Sequence, residues 1–149
     1  MKHAYLDTNV LVMGILGHKS NSRQVLELVN SGEVHAVICD YSIEELKRVL
    51  RRLLPRKEAD RRVYLFIKYV SSNPFMKIVK YDYYRHREGH FKEYIVKKDL
   101  PHLIVAIETK TEMIITKDRH FSNQELIRTL TPREFLQELG KNVFEGDDL

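Results

Sequence analysis

Val34 to Cys39 constrains this chain most: six residues, apolar apart from His35, flanked on both sides by stretches whose apolar residues recur at helical spacing. Upstream, Asn21 to Val29 carries Val25, Leu26, Leu28 and Val29 and is closed by Ser31-Gly32. Downstream, a helix starting at Ser42 places Leu46, Val49, Leu50, Leu53 and Leu54 at helical intervals until Pro55 interrupts it. A buried strand between two helices is the middle of a βαβ arrangement. The rest of the chain continues it. His3 to Leu6 reads as a strand ended by Asp7, followed by a helix over Val10 to Leu16 with Thr8 available as its cap. A helix over Ala59 to Val70, a strand over Met76 to Lys80, a helix over Pro101 to Glu108 and a strand over Glu112 to Thr116 follow, the last ending just before Asp118. Thr131-Pro132-Arg133-Glu134 combines a capping box with Pro at the first helical position, and Gly140 lies where that helix would stop. Strands and helices in alternation predict an α/β fold with a parallel sheet covered by helices on both faces.

The 149 residues suit one domain, and no repeat or linker divides them, so residues 1–149 are expected to share one core. With 43% hydrophobic and 31% charged residues and only 6 Gly and 4 Pro, the composition is that of a globular chain and excludes a disordered or collagen-like one. No run approaches the ~20 apolar residues that span a bilayer, and Val10 to Gly17 follows Asp7 rather than a basic region, so neither a membrane span nor a signal peptide is expected. Cys39 is the only cysteine. An intramolecular disulfide and a cysteine zinc cage are thereby excluded, which fits a reducing, cytoplasmic setting.

The formal net charge of +4 conceals a sharp asymmetry. Residues 46–98 hold 16 Lys/Arg against 5 Asp/Glu, a net of +11, while the remainder of the chain nets −7. The same segment, expected to be largely helical, holds 9 of the 14 Tyr/Phe residues, with Tyr81, Tyr83, Tyr84, Phe91 and Tyr94 interleaved among basic side chains. Cations hold phosphates and aromatic faces stack on bases. Arg48, Arg51, Arg52, Arg85, Arg87, Lys97 and Lys98 are therefore the candidate nucleic-acid contacts, although a solvated helix face accounts for the same charges. The acidic end, residues 145–149, reads as a mobile tail without chemistry.

In open parallel sheets, ligands bind at the carboxyl ends of the strands, near the switch in strand order. Asp7 ends the first strand, Asp118 follows Glu112 to Thr116, Glu45 lies in the first turn after the second strand, and Asp99 precedes the helix at Pro101. Four acids on one rim repel one another unless a cation compensates them, and oxygen-only ligation suits Mg²⁺ or Mn²⁺. Each acid has a local alternative. Asp7 would steady the turn into its helix, Glu45 would close a capping box from Ser42, Asp99 would cap the helix at Pro101, and Asp118 would organise a turn.

Four ordered patterns resemble the PIN-domain family of metal-dependent ribonucleases, which includes the VapC-type toxins: Leu6-Asp7-Thr8-Asn9-Val10-Leu11-Val12, Glu44-Glu45-Leu46, Asp99 with Pro101-His102 and Ala106, and Thr116-Lys117-Asp118. Leu130 to Leu136 is similar to the family's closing element. The resemblance implies a three-layer α/β/α fold around a mostly parallel five-stranded sheet. It also implies cleavage of single-stranded RNA to leave a 5′-phosphate, with Mg²⁺ or Mn²⁺ as cofactor. It makes Asp7, Glu45, Asp99 and Asp118 the metal-binding and catalytic acids, supported by Asn9 and Thr116. Glu45 is preferred to Glu44 because the family's acid directly precedes an apolar residue. An antitoxin protein and a second copy of the chain join RNA as the partners to test. Two departures stand out: many relatives carry a further acid two positions after Asp118, where this chain has His120, and Lys97-Lys98 precedes Asp99, close enough to lower its pKa or reach a phosphate.

Other chemistries lack their residues. Position 9 is Asn rather than the second Asp of a haloacid-dehalogenase-like phosphatase, and one Asp7 does not supply a receiver domain's acid cluster. The glycine-rich turns of dinucleotide and phosphate-loop nucleotide sites are missing. His86 and His90 share a helix spacing but have no further zinc-ligand pattern beside them. The competing reading is a non-catalytic module of the same fold that binds RNA or a protein, as in RNA processing or ribosome assembly.

Overall fold

Successive side chains of a strand point to opposite faces, and here each face of the sheet has its own core. The computed structural model describes residues 1–146. Its strands are β1 (Lys2–Leu6), β2 (Val34–Cys39), β3 (Met76–Val79), β4 (Met113–Ile115) and β5 (Arg128–Leu130), in the order β3-β2-β1-β4-β5 and parallel throughout. Ala4 aligns with Ala36 on one side and Met113 on the other, so β1 is the central strand.

Ala4, Leu6, Ala36, Ile38, Met113 and Ile115 face one core. There they meet Val10 and Leu11 of α1 (Thr8–Leu16), Val25 and Val29 of α2 (Asn21–Ser31), and Leu46 and Leu50 of α3 (Asp40–Leu53). Val63 and Phe66 of α4 (Arg56–Ser72) and, beyond the sheet's other end, Phe135 and Leu136 of α7 (Pro132–Glu138) complete that layer. Tyr5, Cys39, Val79 and Ile114 face the opposite core, where Leu103, Ile104 and Ala106 of α6 (Leu100–Glu108) close over them with Phe91 of the single-turn α5 (Glu88–Phe91) and Phe121. The fold is thus the expected three-layer α/β/α arrangement around a five-stranded sheet, and the sheet is wholly parallel.

Two helix starts differ from the sequence expectation. Asp7, not Thr8, caps α1: its side chain accepts from the Thr8 amide, and Thr8 is the first helical residue. α3 begins at Asp40, two positions before Ser42, because the Cys39 amide donates to Ser42 Oγ (3.3 Å) in a box that starts at Cys39. Glu45 therefore lies beyond the capping position assigned to it and has no cap to make. At the end of α2, Gly32 takes the left-handed conformation (φ 84°) and a Cβ there would stand 3.0 Å from the Phe75 ring.

The basic segment is not one continuous helical run. It comprises most of α3, α4, β3, 3₁₀ turns over Tyr81–Tyr83, Arg85–Arg87 and Lys97–Asp99, and α5. Of the acidic end, Glu145 pairs with Arg133 (2.8 Å), and residues 147–149 lie outside the described residues.

Candidate functional site

The chain leaves β1 for β2 and β3 on one side, then crosses back to β4 and β5 on the other, so strand order reverses beside β1. A crevice forms at such a reversal, at the carboxyl ends of the strands. Asp7, Thr8, Asn9, Glu45, Lys98, Asp99, Lys117 and Asp118 line a cavity of about 380 Å³ there, with Val12, Met13 and Val49 as its apolar wall. All four acids singled out in the sequence meet on this one cavity. Glu44 is exposed and does not line it.

Asp7 and Asp99 are buried, each 6% exposed. Both oxygens of Asp7 are hydrogen-bonded: Oδ1 accepts from the Thr8 amide (2.8 Å), and Oδ2 accepts from Thr116 Oγ1 (2.7 Å) and Asn9 Nδ2 (3.3 Å). Thr116 Oγ1 also accepts from the Asp118 amide (2.9 Å) and from Asn9 Nδ2 (3.3 Å), while Asn9 Oδ1 accepts from the Lys117 amide (3.0 Å). Asn9 and Thr116 thereby tie the ends of β1 and β4 together. Burial raises the Asp7 carboxyl above the ordinary aspartate range, against the opposing pull of His102 and the hydrogen bonds it accepts.

Asp99 is different. It occupies the cap position of α6 yet accepts no capping hydrogen bond, and its buried Oδ2 has no hydrogen-bond partner at all. The expectation that its side chain caps the helix therefore fails here. Burial and the neighbouring charges of Asp7 and Asp118 hold its carboxyl above the usual range, offset in part by Lys98 and His102. An unpartnered buried oxygen facing other acids is a site in want of a cation. The donor set of Asp7, Glu45, Asp99 and Asp118 is all oxygen, which fits a hard divalent ion. Asp118 does organise a turn, accepting from the His120 amide (2.9 Å). A carboxylate can do this and still offer lone pairs elsewhere.

Glu45 is held by a buried chain that reaches through the core. Tyr5 Oη shares a hydrogen bond with His102 Nδ1 (2.6 Å), and His102 Nε2 donates to Glu45 Oε1 (2.5 Å), which also accepts from Thr8 Oγ1 (3.0 Å). Both hydrogen bonds fall on Oε1. Burial opposes protonation of His102, but the Tyr5 hydroxyl, Cys39, Glu45 and Asp7 around it outweigh that and raise its pKa well above the ordinary histidine value. Burial likewise pushes Glu45 up, and the His102 hydrogen bond and charge, Thr8 and Arg48 overcome it, leaving the carboxyl low. The pattern around Pro101-His102 assigns His102 no role, since its partners Tyr5 and Glu45 are 97 and 57 positions away. The only local signal is a histidine inside an otherwise apolar helical stretch.

The basic candidates separate into two groups. Lys98 lines the cavity, and Arg48 is exposed and close enough to lower Glu45's pKa. Lys97 and Arg52 are exposed. Arg51 instead pairs with Asp60 (2.9 Å), Arg85 with Asp82 (2.8 Å) and Arg87 with Glu108 (2.6 Å), and Arg85 stacks over the Tyr81 ring. His86 and His90 are exposed and join no metal-compatible cluster among the described residues. No helix among the described residues is long and apolar enough to cross a membrane.

The sequence matches the family model of the PIN domain over residues 3–120. In fold the chain is similar to VapBC2 from Rickettsia felis bound to a DNA fragment from their promoter, with a TM-score of 0.61 at 17% identity over 87% of this chain and 98% of that one. It is similar also to DNA-bound VapBC from Salmonella typhimurium (TM-score 0.61, 16% identity, 89% and 99% covered) and to a toxin-antitoxin complex from Klebsiella pneumoniae (0.59, 18%, 87% and 97%). At these identities the likeness is one of fold. None of the curated proteins compared with it matches.

Proposed function

This chain belongs to the PIN-domain family, and on that premise we propose that it is a Mg²⁺- or Mn²⁺-dependent endoribonuclease that hydrolyses phosphodiester bonds of single-stranded RNA. The observation that carries the reading is the convergence of Asp7, Glu45, Asp99 and Asp118 on one cavity, with Asp99 Oδ2 buried and unpartnered. Asp7, Asp99 and Asp118 would hold the ion, which when bound supplies Lewis acidity toward water and toward the nonbridging oxygens of the phosphate. Asn9 and Thr116 fix Asp7 by hydrogen bonds from both, so that its carboxylate keeps one orientation. Glu45, with Oε1 engaged by His102 and Thr8, orients a water or accepts its proton through Oε2. Lys98, which lines the cavity, meets a phosphate of the strand, and Arg48, close enough to Glu45 to lower its pKa, adds a second cation near the acids. An acidic rim repels RNA unless an ion and such cations offset it.

The fold neighbours include a toxin-antitoxin complex, which supports an antitoxin as this chain's protein partner and a toxin role for its nuclease activity. The alternative of a binding-only module gains nothing from the site, because such a module has no use for a buried acid left without a partner. The test is incubation of the purified protein with labelled single-stranded RNA in Mn²⁺, Mg²⁺ or chelator, beside the Asp7→Asn variant. Cleavage that needs the ion and is lost in the folded variant supports the proposal. RNA bound in a salt-sensitive way but left intact, indifferent to divalent ions, selects the binding-only module.

A further inference from the structure

His120 stands where a further acid was expected, and its ring reaches the acids. Among the described residues, one set of three or more His, Cys, Asp and Glu side chains brings its ligand atoms within 4.8 Å of one another: Asp99, Asp118 and His120. His120 Nδ1 lies 3.3 Å from Asp118 Oδ1 and 3.8 Å from Asp99 Oδ2. Donors bound to one ion at about 2.1 Å are separated by roughly 3–4 Å, so both of these gaps suit a shared ion. The second observation is Asp99 itself: it is 6% exposed, and the oxygen aimed at His120 is the one without a hydrogen-bond partner. The His120 ring, by contrast, is about half exposed.

We propose that His120 is a nitrogen ligand of the ion held by Asp99 and Asp118, and that this mixed donor set makes the site select a transition metal such as Mn²⁺ over Mg²⁺. The inference rests on the acidic cavity being a metal site, and adds the identity of its ion. The physical reason is donor softness: Mg²⁺ is bound by oxygen and water and gains little from an imidazole, whereas affinity of nitrogen-containing sites rises along the first-row transition metals. A chain with an acid at position 120 would present only oxygen donors and discriminate less, so His120 in that acid's place is a change of metal preference rather than a loss of site.

The probe is the metal alone, titrated into the full chain by calorimetry, with pulsed EPR of the Mn²⁺ complex. The wild type should bind Mn²⁺ at least about tenfold more tightly than Mg²⁺, and His120→Ala should lose about tenfold of the Mn²⁺ affinity while Mg²⁺ binding changes little. The Mn²⁺ spectrum should carry a nitrogen coupling that disappears in His120→Ala. His120→Asp should narrow the ratio between the two ions. Mn²⁺ bound without nitrogen coupling, at an affinity unchanged in His120→Ala, overturns the role of His120 and leaves the acidic metal site standing. Absence of any binding of either ion to the wild type overturns both.

Discussion

Replacing Asp99 by Asn should stabilise the protein in chelator and remove its response to divalent ions, a reversal of sign that separates a metal ligand from a structural residue. In the ion-free protein Asp99 makes no capping bond to α6, buries an oxygen without a partner, and faces Asp7 and Asp118. An unsatisfied buried charge costs more than the roughly 1–3 kcal/mol of a neutral polar group, and Asn keeps the shape while removing the charge, so a net gain of about 1 kcal/mol is expected. For a chain of 149 residues this is a rise of about 2–4 °C in Tm. The wild type, with Mn²⁺ at about one hundred times its Kd, gains about 2.7 kcal/mol. That is a rise of about 5–10 °C, which Asp99→Asn should largely lose.

The pH dependence has a defined direction. The folded-state pKa of Asp99 is raised, so the carboxyl favours folding below its unfolded value of 3.8, and that contribution is lost as pH rises through the folded pKa. The advantage of Asn should therefore appear above that range and vanish at low pH. Calorimetric melting of both proteins, with chelator and with Mn²⁺, reads all of this. A variant that melts lower than wild type in chelator and keeps the full Mn²⁺ shift would make Asp99 part of the scaffold and not a metal ligand.

Thr116→Val keeps the shape of a residue that donates to Asp7 and accepts from the Asp118 amide, so it should lower stability by about 1–3 kcal/mol and slow RNA cleavage, as melting and turnover would show. Tyr5→Phe removes the hydroxyl bonded to buried His102 Nδ1, and should destabilise by about 1–3 kcal/mol without changing the Mn²⁺ stoichiometry seen in calorimetry. Hydrogen bonds from Arg61 and then Arg62 draw the Glu58 carboxyl down to about 2. Its contribution to stability is present above the ordinary 4.5 and lost as pH falls toward 2, and a carboxyl-carbon NMR titration of Glu58 with a midpoint near 4.5 would contradict the pairing. Lys98→Ala should weaken RNA binding and flatten its dependence on log salt by about 0.7, while Arg51→Ala, whose partner is Asp60, should move it less.

What the sequence made legible was whatever depends on neighbours in the chain. The apolar run of β2, the Thr131 capping box of α7 and the glycine stop at Gly32 are local signals, and the structure keeps them. Asp7, Glu45, Asp99 and Asp118 could be placed on one rim because strand ends in a parallel sheet share an edge. Short-range competition misplaced the start of α3, where Ser42 bonds back to Cys39 rather than opening the helix itself. β5 went unlocated because Arg128–Leu130 is a three-residue edge strand with no fully buried position and no alternating pattern. The Tyr5–His102–Glu45 chain and the approach of His120 to Asp99 are products of tertiary folding, and no spacing along the chain encodes them.

Whether the acids at the carboxyl edge of the sheet enclose one divalent ion is decided by where such an ion sits. Anomalous X-ray scattering from crystals grown with Mn²⁺ tests it without reference to activity. A single strong peak is expected in the cavity lined by Asp7, Glu45, Asp99 and Asp118, within coordination distance of Asp99 Oδ2. A cavity empty of anomalous density at saturating Mn²⁺, with Asp99 Oδ2 hydrogen-bonded to ordered water instead, would contradict it.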